Sequence, residues 1–295
     1  MHILIADRFD AELPRRLAAF GTVSESLDDI AAAELLIVRS KTRCDAALIA
    51  RAPNLKLVIR GGVGLDNVDQ TAAAARGIAV RNTPRASAIA VAELAMALLL
   101  AIPTRLVEGH VGMAGGQWLK SQLSRTELHG KTLGLLGLGN IGRQVARRAR
   151  AFGMRVLAHD PYLDTSEDAT LLPSLDELLA AADYVSLHLP LNDQTRGILG
   201  AEALARLRPG AAIVNTGRSD CVDLDAVAAA LRAGRLRAYA TDVWPSDPPP
   251  PDCPLLTAPG VIMTPHLGAS SAENLARIGD EIVALVSAYR REETP

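Results

Sequence analysis

Residues 131–160 (KTLGLLGLGNIGRQVARRARAFGMRVLAHD) limit what this chain can fold into more than any other stretch. An apolar run over 133–138 reads as a buried parallel strand. It breaks into Gly137-Leu138-Gly139-Asn140-Ile141-Gly142, a G-x-G-x-x-G. A helical spacing of Ile141, Val145, Ala146 and Ala149 follows, and then a second strand over 154–158 leading to Asp160. Each part has a physical role. Gly137 permits a tight turn, Gly139 lets backbone approach a pyrophosphate, and Gly142 lets helix and strand pack closely. The helix start, at Asn140 and Ile141, offers free N–H groups and a positive dipole end to phosphates. Asp160 lies eighteen residues beyond Gly142, where a carboxylate accepts hydrogen bonds from an adenosine ribose. Its charge would repel a 2′-phosphate, so NAD is expected over NADP.

The chain is long enough for two domains of ordinary size. Its 49% hydrophobic content with a net charge of only −2 describes a globular protein without the basic surface that nucleic acid requires. Aromatics are few and the apolar mass is Ala, Leu and Val, which suits helices on a parallel sheet. Cys44, Cys221 and Cys253 stand far apart with no C-x-x-C, as in a cytoplasmic protein with reduced thiols. The chain opens on an apolar strand, so no signal peptide is expected. The longest apolar stretch, 89–102, contains Glu93 and is too short to span a bilayer, so no membrane partner is expected. No cluster with metal-ligand spacing is present, and no metal site is expected.

Strand and helix patterns alternate along the chain. Strands are expected over 2–6, 34–38, 55–60 and 78–80, with helices over 11–19, 44–50 and 68–76. Asn82-Thr83-Pro84 punctuates the end of this first part. A long Ala/Leu-rich helix over 87–100 then crosses into the second part, and 103–130 reads as a mixed segment. Beyond the glycine-rich unit, strands are expected over 184–188, 211–215, 236–243 and 261–264. Helices are expected over 174–181, 201–206, 224–233 and 272–288. The expected fold is α/β, with two Rossmann-like doubly wound parallel-sheet domains and a cleft between them. Residues 1–85 plus 268–295 would form a discontinuous substrate domain and 86–267 the NAD-binding domain. The chain ends at Pro295 directly after its last helix, so no regulatory module is expected there.

Ligands of parallel sheets bind at the carboxyl ends of strands. The polar residues expected at such ends are Arg39, Arg60, Asp160, His188, Arg218, Asp242 and His266. Arg218 could clamp a carboxylate with two parallel charge-assisted bonds and polarise an adjacent carbonyl. His266 could move the proton that accompanies hydride transfer.

These residues lie in motifs that together cover nearly the whole chain: VRSKT (38–42), RGGVGLDNVD (60–69), NTP (82–84), VAELAMALLL (91–100), the glycine-rich unit, AFGMRVLAHDPY (151–162), HLPL (188–191), NTGRSDCVD (215–223), TDVW (241–244) and TPHLGAS (264–270). In them the chain resembles the D-isomer-specific 2-hydroxyacid dehydrogenases, and among these the phosphoglycerate dehydrogenase branch. The resemblance implies NAD as cofactor, Arg218 and His266 as catalytic residues, and a carboxylate paired with His266. That carboxylate is usually a Glu; here the position holds Asp247, shorter by one methylene, and the other reading of Asp247 is a solvated loop acid that leaves His266 unpaired. Further implications are backbone N–H groups of Val63 and Gly64 on the substrate carboxylate, Asp242 on the carboxamide of the nicotinamide, and Leu189, Thr216 and Gly217 as walls of the cofactor site. Basic residues at Arg39 and Arg60 would bind a substrate phosphate or second acidic group; ordinary ion pairing is the other reading of the two.

The implied function is NAD-dependent hydride transfer at C2 of a D-2-hydroxy acid, 3-phosphoglycerate-like first. A general reductase of hydroxypyruvate, glyoxylate and other small 2-keto acids is an alternative. A further one is an NAD(H)-responsive binding or regulatory protein with weak turnover, favoured only by the Glu-to-Asp departure. The implied partners are the small 2-hydroxy or 2-keto acid and a second copy of the chain, with the 88–101 segment as buried core or dimer face. Trp118 and Trp244 are expected to anchor packing, His188 to support it, and Arg143, Arg147, Arg148 and Arg150 to form a solvated helix face, with help in neutralising pyrophosphate as the alternative for those near the helix start.

Overall fold

A computed structural model describes residues 1–293. The final residues of the expected 268–295 segment, 294 and 295, lie outside the described residues. The chain divides into two compact units, 1–88 with 269–295 and 89–268.

The first unit is built on a five-stranded parallel sheet. In chain order its elements are β1 (His2–Ile5), α1 (Leu13–Leu17), β2 (Thr22–Ser24), β3 (Leu35–Val38), α2 (Ala46–Ala50), β4 (Leu57–Arg60), α3 (Gln70–Ala75) and β5 (Ala79–Asn82). The sheet order is β2-β1-β3-β4-β5. Two helices begin where the sequence supplies an acid as cap: Asp45 accepts the N–H of Leu48 at 2.9 Å and Asp69 that of Ala72 at 2.9 Å. Such a cap satisfies a backbone donor that the first helical turn leaves without a partner.

The second unit begins with α4 (Ala88–Thr104) and α5 (Leu106–Ala114), then β6 (Thr132–Leu136), α6 (Asn140–Ala151), β7 (Arg155–His159), β8 (Thr170–Leu171), α7 (Leu175–Ala181), β9 (Tyr184–Leu187), α8 (Ala201–Arg206), β10 (Ala211–Asn215), α9 (Leu224–Arg232), β11 (Leu236–Thr241) and β12 (Val261–Met263). The seven strands are parallel in the order β12-β11-β10-β9-β6-β7-β8. Order reverses between β6 and β9, the switch point at which such sheets bind ligands. One face packs Leu133, Leu135 and Val214 against α4 and α6; the other packs Leu136, Val185 and Ile213 against α7, α8 and α9. Burial on both faces explains why these strands read as continuous apolar runs.

The last helix, α10 (Ala272–Glu293), belongs to the first unit. Ile278, Ile282 and Val286 recur every four residues, are fully buried, and cover one face of the five-stranded sheet beside Leu13 and Leu17 of α1. The helix is longer than the expected 272–288.

Several elements depart from expectation. The mixed segment contains α5, which leaves α4 at a bend of 70°. Arg105 makes the break in a left-handed backbone state, φ 56°. Helix α4 runs to Thr104, past Pro103, and Thr104 Oγ1 donates to the carbonyl of Leu100 at 2.6 Å. Edge strands β2 and β8 are too short to show a period. Trp118, expected to anchor packing, is 74% exposed. Three arginines of α6 are ion-paired rather than merely solvated: Arg143 and Arg147 both reach Asp168, and Arg148 reaches Glu93, while Arg150 donates to the Glu167 carbonyl at 2.7 Å. Arg147 and Arg143 hold the Asp168 carboxyl below its usual range, hydrogen bonding to Arg147 being the largest cause. Among the described residues no single helix is long and apolar enough to cross a membrane.

Candidate functional site

The glycine turn after β6 has three different constraints at its three glycines. Gly137 has φ 86°, and a Cβ there would lie 2.8 Å from the carbonyl oxygen of His188. A Cβ on Gly142 would lie 2.3 Å from the carbonyl oxygen of Gly137, so strand and helix meet backbone to backbone. A Cβ on Gly139 would meet nothing within 4 Å. Gly139 and Asn140 are exposed, and α6 begins without a side-chain cap. Asp160 is joined to the same turn: Oδ2 accepts the Leu138 N–H at 2.9 Å, and Oδ1 accepts that of Tyr162 at 3.1 Å. An open space, an uncapped helix start and an adjacent carboxylate fit the pyrophosphate and ribose of a dinucleotide.

Strand β9 ends beside this turn. His188 Nε2 pairs with Ser186 Oγ at 3.0 Å, while its Nδ1 is buried without a partner. Thr216 Oγ1, after β10, is a second buried atom without a partner. Burial pushes the His188 pKa down from 6.5 to about 4. The folded protein therefore binds this proton less readily than the unfolded chain. Its contribution is complete above pH 6.5 and is lost as pH falls toward 4, because the unfolded chain protonates first. The loss is up to about 3 kcal/mol, reduced by the residue's partial exposure. A His188→Gln variant is expected to lose less stability than wild type between pH 7 and pH 4, measured by urea unfolding at both (about those values spanning the titration). An equal loss in both proteins would count against this assignment.

The next two strand ends carry the residues best suited to chemistry. Asn215, fully buried at the end of β10, accepts the Gly217 N–H at 3.0 Å and donates to the Arg218 carbonyl at 3.0 Å, and so shapes the turn bearing Arg218. Arg218 is partly buried and its Nη1 donates to the Gly217 carbonyl at 2.8 Å. Gly217 passes close to Leu187 and Leu189. Beyond β11, Asp242 is 1% exposed. Its carboxylate receives donors from Thr264, Leu267 and Gly268, all at 2.7 Å. His266 lies within that turn, and its Nδ1 is 2.6 Å from Asp247 Oδ2. The shorter acid thus does reach the ring. Because all strands are parallel, the glycine turn, His188, Arg218, Asp242 and His266 follow the carboxyl ends of one sheet.

The substrate residues expected in the other unit also lie after strand ends. Arg39 follows β3 and Arg60 ends the neighbouring β4. Arg39 donates to the carbonyls of Arg8 (3.3 Å) and Ala269 (3.1 Å), and burial lowers its pKa while Asp7 partly restores it. Its N–H is held by Asp7, which also receives Thr42. The Arg60 guanidinium lies over Gly62, where any side chain would collide with it. Val63 is exposed and its carbonyl accepts from Asn82 at 2.6 Å; Gly64 is half-buried. Asp7, Asn215 and Thr264 carry much of this local order. They escaped the sequence reading because a polar residue that serves the groups folded around it has no spacing signature.

Residues 96–268 match the family model described as D-isomer specific 2-hydroxyacid dehydrogenase, NAD binding domain. The chain is 46% identical over 257 residues to a D-3-phosphoglycerate dehydrogenase of Mycobacterium leprae, covering 86% of this chain and 48% of that protein. It is 43% identical over 252 residues to a hydroxypyruvate reductase of Thermotoga maritima, covering 85% and 82%. The crystal structure of the TT0316 protein from Thermus thermophilus superposes with a TM-score of 0.86 at 37% identity, covering 96% of this chain and 94% of that one. The chain spans about half the length of the phosphoglycerate dehydrogenases it matches.

Proposed function

The chain belongs to the D-isomer specific 2-hydroxyacid dehydrogenase family, and on that premise we propose that it is an NAD-dependent oxidoreductase acting at C2 of a D-2-hydroxy acid. The observation that carries the reading is the 2.6 Å pairing of His266 with Asp247, on the sheet edge that also bears the glycine turn and Arg218. Bound NAD would supply the hydride acceptor. Asp247 would hold the proton on Nδ1 of His266, leaving Nε2 free to take the substrate hydroxyl proton as hydride leaves C2. In reverse, protonated His266 would give that proton to the keto oxygen. Arg218 would clamp the substrate carboxylate, with backbone N–H groups of Val63 and Gly64 as further donors. Gly137, Gly139, Asn140, Ile141 and Gly142 would receive the pyrophosphate, Asp160 the ribose, and Leu189, Thr216 and Gly217 would wall the nicotinamide half.

Asp160 sets cofactor preference in this reading. Asp160→Ala is expected to lower the NAD-over-NADP preference in kcat/KM by about tenfold or more. An unchanged ratio would remove Asp160 from that role.

For the substrate, a 3-phosphoglycerate-like acid is favoured by two arginines on adjacent strand ends and by the phosphoglycerate dehydrogenase relatives. A second reading, reduction of small 2-keto acids, is favoured by the engagement of Arg39 with two carbonyls and by likeness to a hydroxypyruvate reductase over most of that protein's length. NADH oxidation against phosphohydroxypyruvate, hydroxypyruvate, glyoxylate and pyruvate separates them. Preference for the phosphorylated acid supports the first reading, and preference for the others supports the second. Silence across the panel with NADH still bound would favour a binding or regulatory protein, against which the close His266–Asp247 pair argues. The exposed apolar residues Leu106, Val111, Met113 and Trp118 support a homodimer through α5 and the loop after it. Three free, buried cysteines suit a reducing, cytoplasmic setting.

A further inference from the structure

His266 occupies a backbone state that few residues other than glycine adopt, with φ 55°. A side chain in that state persists only where its surroundings hold the turn. Here three donors from the turn converge on one carboxylate. Asp242 Oδ1 accepts the Thr264 hydroxyl and the Leu267 N–H, and Oδ2 accepts the Gly268 N–H, each at 2.7 Å. These residues stand two before, one after and two after His266. The N–H of Asp242 in turn donates to the Asn215 carbonyl at 3.0 Å, which ties the arrangement to β10. Trp244 Nε1 adds a bond to the Thr264 carbonyl at 3.0 Å. Asp242 itself is 1% exposed. A carboxylate so buried is tolerable only with donors on its oxygens, and charge-assisted bonds of this length are strong ones.

We propose that Asp242 is a positioning residue: it holds the 264–268 turn so that His266 Nδ1 faces Asp247, and acts on the chemistry through His266. The inference rests on the reading of His266 as the proton-transfer group. The reason is a difference in strength. The His266–Asp247 pair is made between side chains 39% and 50% exposed, and an exposed pair is too weak to impose an unfavourable backbone state. The three bonds to the buried Asp242 carboxylate are not. Asparagine at 242 would set an NH2 group against at least one of the three donors, and the turn would relax. Asp247 would then lose the ring, and the Nδ1–H tautomer that frees Nε2 would lose its support.

The test reads the ring rather than turnover. Ligand-free protein labelled with 15N in histidine is studied by long-range proton–nitrogen correlation at a pH where the ring is neutral, with the His266 signal identified by its absence in His266→Ala. The expected result is Nδ1–H in wild type, and loss of that preference in both Asp242→Asn and Asp247→Asn. In Asp242→Asn kcat should fall by about tenfold or more. A retained Nδ1–H signal in Asp242→Asn would overturn the proposal. Thr264→Val removes one of the three bonds and keeps the acid. It is expected to weaken the Nδ1–H preference, and if Asp242→Asn does not fold, an unaltered tautomer in Thr264→Val overturns the proposal alone. Wild-type protein that turns over no keto acid yet shows the tautomer change would refute the enzymatic reading and leave the positioning role standing.

Discussion

His266→Ala is expected to bind NADH as wild type does and to lose turnover by about 10²- to 10⁴-fold, the range for removing a general acid–base group. The loss should fall on kcat, because the ring is proposed to act on the proton that moves only as C2 changes oxidation state. Removing the ring leaves Asp242 and its three bonds in place, so the 264–268 turn and the sheet edge beneath it are undisturbed. Asp247→Asn should fall between wild type and His266→Ala. The amide keeps the size of the acid but lets its NH2 face Nδ1, which favours the wrong tautomer. Stopped-flow NADH oxidation with the best keto acid, beside a fluorescence titration of NADH, separates the steps. Full turnover in His266→Ala would end the assignment. A matching loss of NADH affinity would place the ring in the cofactor site.

Gly142→Val should have the second largest effect, through structure rather than chemistry. The first atom of any side chain at 142 would lie 2.3 Å from the Gly137 carbonyl oxygen, a backbone atom of the turn itself. No rotamer relieves that contact, so turn and helix must separate. Urea unfolding is expected to show a loss of about 1–3 kcal/mol, the range for overpacking a close contact. NADH affinity is expected to fall by more than about tenfold, because the donors at the start of α6 move with the turn. Gly139→Ala is the informative comparison. Its φ of −71° is open to alanine and the added methyl meets nothing. Stability should hold while NADH affinity falls, since the methyl enters the space left for phosphate. Equal stability in the two variants would mean that α6 tolerates a shift, and the close-packing role of Gly142 would be wrong.

Much of the fold was legible because its signals are local. Strands buried on both faces are written as runs such as LGLL and AAIVN, which no exposed strand would need. Asp45, Asp69, Ser174 and Asp223 mark helix starts by taking backbone N–H groups three residues on, a contact contained in the sequence neighbourhood. The glycine turn was legible for the same reason: a positive φ and a backbone collision each exclude side chains at a single position. Elements without such signals were not. β2 and β8 are three and two residues long and are strands only because β1 and β7 lie beside them. α5 exists because the chain breaks at Arg105, which has no residue type that announces it. Trp118 was misread for a related reason: a large ring promises burial, and only packing decides whether a surface is there to receive it.

What the sequence by itself determined is the class of fold, the site of the glycine turn and the identity of the polar residues at strand ends, because each follows from local sterics and from burial along a single strand or helix. The pairings were decided by tertiary structure alone. Asp247 and His266 are nineteen residues apart, and whether a side chain one methylene short closes on the ring depends on the course of the loop between them, which brings Oδ2 to 2.6 Å. Asp242 was legible as an acid at a strand end. That its oxygens serve the backbone around His266 follows from parallel neighbours β11 and β12 ending side by side. Arg39 was legible as a cation, and only packing sent its guanidinium to the carbonyls of Arg8 and Ala269. A charge in a sequence has no direction; it acquires one when burial removes water and leaves the nearest backbone group as its partner.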